Sequence, residues 1–146
     1  MTRTFIKMHG LGNDFAIFDG RAQKLEVSPE KIRALANRRT GIGFDQMVII
    51  DPAKSAETDV FLRIFNADGG EVGACGNATR CIAKLLITEL KNPEVVLETK
   101  AAILRAKMTE NKVTVDMGKA HLEWKEIPLS RKEKTTFLPI FEEGFS

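Results

Sequence analysis

The sequence predicts a sheet-dominated α+β domain, and three observations support this fold class. The apolar runs are short, four to six residues between turn signals, which is typical of strands. Residues 79–90 instead repeat their apolar side chains at the spacing of a helix. The chain has 146 residues, 43% hydrophobic and 29% charged, which is enough for one globular core with a partial second lobe.

Turn and cap signals define the N-terminal elements. Two strands are predicted at residues 4–8 and 14–19, joined by a glycine-punctuated connection over residues 9–13 that can bring backbone close to a ligand. Ser28 and Pro29 then predict the start of a short helix through Asn37, because serine is a favoured N-cap and proline suits the first helical position.

The middle and the end of the chain add further strands. Residues 47–50 and 60–65 are nearly continuous apolar runs, which indicates central strands covered on both faces. Asn92 and Pro93 end the long helical segment. Three more strands follow, at residues 95–99, 103–108 and 113–117.

A glycine-rich loop leads into the long helix. Residues 66–78 contain four glycines, and the helix is predicted over about residues 76–90. One face of this helix carries Ala78, Cys81, Ile82, Leu85, Leu86 and Leu90. Such an apolar stripe predicts that the helix lies at the centre of the domain.

Cys75 lies where this loop meets the helix, and its position indicates a reactive thiol. The first backbone amides of a helix lack internal partners and carry a partial positive charge, which stabilises a thiolate and can also hold a carboxylate. Gly73 and Gly76 on either side leave room for a substrate. We therefore predict that Cys75 is a base or nucleophile beside a bound anion; a small buried hydrophobic residue is the alternative.

Cys81 has a different predicted role. It lies six residues beyond Cys75, about 9 Å along a helix, which is too far for a disulfide and places it on the apolar stripe. Two cysteines are also too few for a structural zinc site. We expect neither a metal nor a disulfide.

Polar candidates lie at the ends of predicted strands. Asn13, Gln46 and Asn66 carry amides, which can both donate to a carboxylate and accept from an ammonium group, although each alone is also an ordinary turn residue. His9 is an alternative base at a strand end, where a structural histidine is more common. The glycine pairs at residues 10–12 and 41–43 lack the third glycine, helix and acidic residue of a dinucleotide site.

Charge and hydropathy restrict the partners. The net charge of +2 supplies no field that favours nucleic acid or an anionic membrane surface. No run approaches 18 apolar residues, and residues 1–7 read as a strand without the apolar core of a signal peptide. We expect a cytoplasmic protein whose partner is a small molecule.

Three motifs resemble one known family. The segments FIKMHGLGNDF at residues 5–15, RTGIGFDQ at 39–46 and NADGGEVGACGNATRC at 66–81 are similar to the N-terminal half of diaminopimelate epimerase. The resemblance implies two similar lobes, each a curved mixed β-sheet around a central helix, with the substrate in the cleft between them. It also implies interconversion of LL- and meso-diaminopimelate, in lysine and peptidoglycan synthesis, without pyridoxal phosphate or metal.

The resemblance extends to single residues. It implies that Cys75 is one of two catalytic cysteines, a thiolate and a thiol that flank the α-carbon. The substrate's carboxylate and ammonium groups are then contacted by Asn13, Gln46, Asn66, Gly76 and Asn77. Two departures preserve access, because Gly70 stands where members often carry serine and Ala78 where many carry glycine.

A third departure concerns the second cysteine. We expect residues 1–118 to form the N-terminal epimerase lobe and residues 119–146 to form a linker and the start of an incomplete second lobe. No cysteine follows Gly118, so this chain alone is expected to be inactive.

Four other readings stay open. Two copies can associate as a homodimer in which each supplies Cys75. The chain can instead be a non-catalytic carboxylate-binding half-domain, or belong with cofactor-independent racemases that act on proline or hydroxyproline. A redox-active cysteine of low pKa is the fourth reading.

Overall fold

A computed structural model describes residues 2–127 and 129–138 of the chain. Those residues form eight strands and two helices. The strands are β1 (Ile6–Gly10), β2 (Asn13–Asp19), β3 (Gln46–Pro52), β4 (Val60–Asn66), β5 (Glu71–Val72), β6 (Glu94–Thr99), β7 (Ile103–Thr109) and β8 (Lys112–Asp116). The helices are α1 (Pro29–Ala36) and α2 (Gly76–Leu90).

All eight strands belong to one mixed sheet. Its order is β1-β2-β3-β4-β6-β7-β8, with the short β5 paired to β4. The β2–β3 and β4–β6 pairs are parallel and the other pairs are antiparallel. Helix α2 contacts both β1 and β8, the two ends of this order, so the sheet curls around the helix. The α+β class and the curved sheet around a central helix are confirmed.

Two hydrophobic cores cover the two faces of the sheet. Side chains alternate along β2, so Phe15 and Ile17 pack in the core around α2, whereas Ala16 and Phe18 pack in a second core against α1. Strands β3 and β4 are likewise buried on both faces and lie in the middle of the sheet, as their apolar runs predict.

The connection between β1 and β2 is shorter than predicted. His9 and Gly10 belong to β1, and Gly10 pairs directly with Asn13. Only Leu11 and Gly12 form the turn, with φ angles of +57° and +88°. Positive φ at both central residues suits a two-residue hairpin, because that turn matches the twist of the strands. The predicted strand at residues 4–8 is therefore shifted by two residues.

Helix α2 occupies the predicted range, but its buried face differs. Leu90 is 47% exposed, whereas Ala83 and Ile87 are buried. The sheet wraps around the helix, so the buried surface is broader than a single stripe. The helix ends at Leu90, and its C-cap residue Lys91 has a left-handed φ of +52°, so the helix stops before Asn92 and Pro93.

Two further segments test sequence expectations. The glycine-rich loop contains a strand that sequence reasoning missed, because β5 has only two residues, paired to Ile64 and Phe65. Residues 119–127 and 129–138 contain turns and neither helix nor strand. Pro128 and residues 139–146, part of the predicted linker and second lobe, lie outside the described residues.

Within the described ranges, neither helix is long and apolar enough to cross a membrane.

Candidate functional site

Three of the predicted polar residues meet at one edge of the sheet. Asn13 begins β2 and Gln46 begins the parallel strand β3, whereas Asn66 ends the antiparallel strand β4. Strand directions therefore bring all three to the same edge. Gln46 pairs with Asn66 in the ladder, and its Nε2 donates to Asn66 Oδ1 at 2.8 Å.

Gln46 retains an unused acceptor. Its Oε1 is buried and has no hydrogen-bond partner among the described residues. A buried carbonyl oxygen without a partner is unfavourable, and a ligand that donates a hydrogen bond removes that cost. This amide pair therefore offers a site for a donor such as an ammonium group.

Cys75 is the N-cap residue of α2. Its backbone is extended, and its carbonyl oxygen accepts bonds from the Thr79 backbone nitrogen and Oγ1, each at 2.9 Å. Its side chain makes no capping hydrogen bond. The amides of Gly76, Asn77 and Ala78 have no partner within the helix, because the first intrahelical bond is donated by Thr79. The start of α2 therefore presents unpaired N–H groups, which can hold an anion, beside a thiol.

The Cys75 thiol contacts Asn13. The distance from Cys75 Sγ to Asn13 Oδ1 is 3.8 Å, and Asn77 Nδ2 lies 3.4 Å from the same oxygen. Asn77 Oδ1 in turn accepts a hydrogen bond from Arg80. The hairpin that begins β2 and the first turn of α2 are thus joined through side chains, and Cys75 is half-buried between them.

Two glycines allow close approach to the start of α2. A Cβ atom added at Gly10 would lie 3.2 Å from Asn77 Cβ, so β1 approaches the helix start closely. A Cβ added at Gly76 would meet only Met117, whose sulfur lies at 3.8 Å. Met117 is itself 52% exposed. The backbone at Gly76 can therefore be approached by a small molecule.

A charged cluster supports the hairpin from outside. Asp14 pairs with Lys7 at 2.8 Å and with Arg38 at 2.7 Å, and Arg38 also reaches Asp45 at 2.8 Å. Hydrogen bonding to Arg38 holds the pKa of Asp14 well below its usual range. Asp45 Oδ2 accepts from Asn13 Nδ2 at 3.1 Å. Lys7, Asp14 and Asp45 lie within the family-like motifs, but no local sequence pattern marks these charged residues as part of a site.

Two other sequence candidates have different surroundings. Cys81 is 5% exposed in the core around α2, and burial raises the pKa of its thiol. His9 is exposed on β1. In the part of the chain that the structure describes, no cluster of three or more His, Cys, Asp or Glu side chains could hold a metal ion.

Solved structures with low sequence identity share this fold. A probable proline racemase from Agrobacterium radiobacter matches with a TM-score of 0.59 at 19% identity, covering 78% of this chain and 41% of that one. A hydroxyproline epimerase from Agrobacterium vitis matches with a TM-score of 0.57 at 19% identity, covering 76% and 40%. These similarities concern the fold.

Curated relatives are much more similar in sequence. The diaminopimelate epimerase of Rhodospirillum centenum is 46% identical over 95% of this chain and 48% of its own length. That of Phenylobacterium zucineum is 48% identical over 96% of this chain and 50% of its own length. The chain thus spans about half the length of the curated relatives it matches. The family model described as diaminopimelate epimerase matches residues 5–123, and the chain belongs to that family.

Proposed function

We propose that this chain forms one lobe of an enzyme that interconverts LL- and meso-diaminopimelate, with Cys75 as one of two catalytic cysteines. The observation that carries the proposal is the thiol of Cys75 at the uncapped start of α2, beside the Asn13 amide. Membership of the diaminopimelate epimerase family supports the substrate. The reaction would serve lysine and peptidoglycan synthesis.

The proposed chemistry is an exchange of one proton between two faces of a carbon atom. A thiolate on one face removes the α-proton, and the electron pair of the broken C–H bond stays on the carbon. A thiol on the opposite face then donates its proton to that carbon, so the configuration inverts and one thiol becomes a thiolate. Cys75 supplies one of these groups. The sulfur chemistry needs neither pyridoxal phosphate nor a metal.

The start of α2 has a second role in this proposal. The amides of Gly76 and Asn77 hold the α-carboxylate, which is attracted by the positive end of the helix dipole. The same amides stabilise the negative charge that develops when the α-proton leaves. The helix therefore binds the substrate where the thiol can reach its α-carbon.

The three strand-end amides bind the substrate's other polar groups. The buried Oε1 of Gln46 is a suitable acceptor for an ammonium group, because it has no partner in the described chain. Asn66, bonded to Gln46, fixes which way that amide faces. Asn13 lies against the thiol and contacts substrate from the β1–β2 hairpin side.

We further propose that a single lobe does not catalyse the exchange. Cys75 supplies one thiol, and Cys81 is buried in the core, so the described chain presents one thiol to the site. A second lobe contributes the other, with residues 1–118 as the lobe present here. We place the protein in the cytoplasm, because both sulfurs must stay reduced.

The test is a fusion of this chain to the half of the Rhodospirillum centenum relative that it does not match. In deuterated water, the fusion should incorporate deuterium at the α-carbon of LL-diaminopimelate and form the meso isomer, followed by NMR. Cys75→Ala should lower this rate by about 10²- to 10⁴-fold, as expected for a lost general acid–base. Cys81→Ala is the matched control and should keep most of the rate.

Other outcomes discriminate among the remaining readings. Equal rates for the fusion and its Cys75→Ala variant overturn the catalytic role. Exchange by the 146-residue chain alone, abolished by Cys75→Ala and accompanied by twice the monomer mass in light scattering, supports the symmetric homodimer instead. Ligand binding that survives Cys75→Ser without any exchange supports a carboxylate-binding half-domain. Turnover of proline in place of diaminopimelate overturns the proposed substrate.

A further inference from the structure

A chain of hydrogen bonds passes the Cys75 thiol and connects two charged side chains. Arg80 Nη2 donates to Asn77 Oδ1. Asn77 Nδ2 lies 3.4 Å from Asn13 Oδ1, and Asn13 Nδ2 lies 3.1 Å from Asp45 Oδ2. The Cys75 sulfur faces the same Asn13 oxygen at 3.8 Å. Two amides thus lie in series between a guanidinium and a carboxylate.

The chemistry of the two ends permits one orientation of each amide. A guanidinium only donates, so Asn77 must turn its oxygen toward Arg80 and its NH2 group toward Asn13. A carboxylate only accepts, so Asn13 must turn its NH2 group toward Asp45. The Arg80 guanidinium and the Asp45 carboxylate therefore require the same orientation of the two amides. The thiol therefore faces a carbonyl oxygen and not an NH2 group.

Asp45 is held in place by donors other than Asn13. Its Oδ1 accepts from Arg38 at 2.8 Å, and its Oδ2 accepts from the Asp14 backbone nitrogen at 3.0 Å. Its own backbone nitrogen donates to the Asp14 carbonyl oxygen at 3.0 Å, and its carbonyl oxygen accepts from Ala67. Contacts other than the one to Asn13 thus hold the Asp45 carboxylate against the start of β2.

We propose that Asp45 is a positioning residue that keeps the Asn13 carbonyl oxygen turned toward Cys75 and thereby favours the protonated thiol over the thiolate. The proposal rests on the proposed function, because it is the catalytic role that makes the protonation of Cys75 matter. An acceptor opposite S–H favours the thiol, whereas the helix start favours the thiolate. A two-sulfur exchange needs one protonated thiol, and an acceptor 3.8 Å from the sulfur stabilises that form of Cys75.

Other charged or titratable groups lie around the start of α2, and the Asp45 variants keep all of them. Arg80 and Cys81 lie on α2 itself. The elements packed against the helix start, with the charged cluster behind Asn13, contribute Lys7, His9, Asp14, Arg38 and Asp116. Because every variant compared keeps these groups, their fields cancel in the difference.

The experiment measures how fast iodoacetamide alkylates Cys75 as a function of pH. Trypsin cleaves after Arg80, so mass spectrometry separates the Cys75 peptide from the Cys81 peptide. Asp45→Asn and Asp45→Ala remove the same charge, but only the asparagine can still accept a hydrogen bond from Asn13. The midpoint in Asp45→Ala should lie about 0.5 to 1 pH unit below that in Asp45→Asn, because the freed amide can turn its NH2 group toward the thiolate. Equal midpoints overturn the proposal.

Two controls separate positioning from a general structural effect. Asp51 bonds Arg63 near the far end of β3, at 3.1 Å, so Asp51→Asn and Asp51→Ala should give equal midpoints. In an Asn13→Ala background the difference between the two Asp45 variants should vanish, because the connection to the sulfur is gone. A difference that persists there contradicts the proposal.

A measurement on the unsubstituted chain decides the question if Asp45→Ala fails to fold. In NMR spectra, the Asn13 Hδ2 protons should show Overhauser contacts to the Asp14 amide proton, since both groups donate to Asp45 Oδ2. If the Asn13 Hδ2 protons instead show contacts to the Cys75 β-protons and none to the Asp14 amide proton, the proposal is overturned. Neither readout requires turnover, so a failure of the proposed epimerase activity leaves both results interpretable.

Discussion

The two helices of this chain begin in opposite ways. Helix α1 starts with Ser28 as N-cap, whose side chain accepts from the Lys31 backbone nitrogen at 3.3 Å, followed by Pro29 and the acidic Glu30. Helix α2 starts with Cys75, which makes no capping bond, and its first turn carries no acidic residue. The first start satisfies its own amides and dipole, whereas the second leaves both available.

The difference shows where each helix obtains its stability. Helix α1 has eight residues, of which Ile32 and Ala36 are buried, so its cap of about 1 kcal/mol is a larger share of its stability than a cap would be for a longer helix. Helix α2 has fifteen residues, and it buries seven of them inside the curled sheet. Burial on that scale offsets the missing cap, since each buried aliphatic side chain contributes about 1.5 to 3 kcal/mol. The fold can therefore leave this helix start open for a ligand.

The largest expected effect comes from giving α2 the cap residue that α1 has. In the fusion enzyme, Cys75→Ser should lower α-proton exchange by about 10²- to 10⁴-fold, because a serine hydroxyl is a far weaker acid and base than a thiol. In the 146-residue chain, the same change should leave the free energy of unfolding unchanged or raise it by up to about 1 kcal/mol, because serine caps helices well.

Urea titrations followed by circular dichroism measure the free energy of unfolding. Cys75→Ala is the matched control, because alanine cannot cap a helix. A loss of stability in Cys75→Ser relative to Cys75→Ala would show that the helix start does not accept a cap. The contrast between the two helix starts would then have another cause.

A second prediction tests whether burial holds α2. Ile82 is completely buried, so Ile82→Ala should lower the free energy of unfolding by about 2 to 5 kcal/mol. Leu90 is 47% exposed, so Leu90→Ala should cost less than about 1 kcal/mol. Both substitutions remove a four-carbon side chain from the same helix to leave a methyl group. Equal losses in urea titrations would contradict the observed buried face.

A third prediction removes the cap of α1. Ser28→Ala should lower the free energy of unfolding by about 1 kcal/mol, because the Lys31 amide loses its acceptor. Ser28 caps α1, whose buried residues belong to a different core from those of α2. The pH midpoint of Cys75 alkylation should therefore match that of the parent chain, and a shifted midpoint would indicate coupling between the two helix starts.

The sequence predicts most of this fold because its signals are local. Apolar runs identify β3 and β4, and Ser28 with Pro29 identifies the start of α1. The buried face of α2 is less predictable. Ile87 is buried and Leu90 is exposed, because the sheet curls around the helix. Strand β5 has two residues, too few for any periodic pattern.

The candidate site is also predictable only in part: its residues can be found from sequence, but their contacts cannot. Cys75 and Asn13 can be singled out from their neighbours in sequence, whereas their contact depends on how the β1–β2 hairpin packs against the start of α2. The Asn13–Asp45 bond joins residues that are 32 positions apart. Such pairings arise from strand order, and no motif contains them, which is why the role inferred for Asp45 required the folded chain.

The smallest expected effect concerns the charged cluster that ties the loop after α1 to the hairpin beside α2. Arg38 holds the pKa of Asp14 below its unfolded value, so the ionised carboxylate stabilises the fold above about pH 4, and this contribution is lost as the pH falls through the folded pKa. Asp14→Asn should therefore lower the free energy of unfolding at pH 7, by about 1 kcal/mol or less because solvent screens the partly exposed pairs. Its deficit should shrink between about pH 4 and pH 2 in urea titrations. An Asp14→Asn deficit that is constant with pH would mean that the Arg38–Asp14 pair does not tie the loop after α1 to the hairpin through charge.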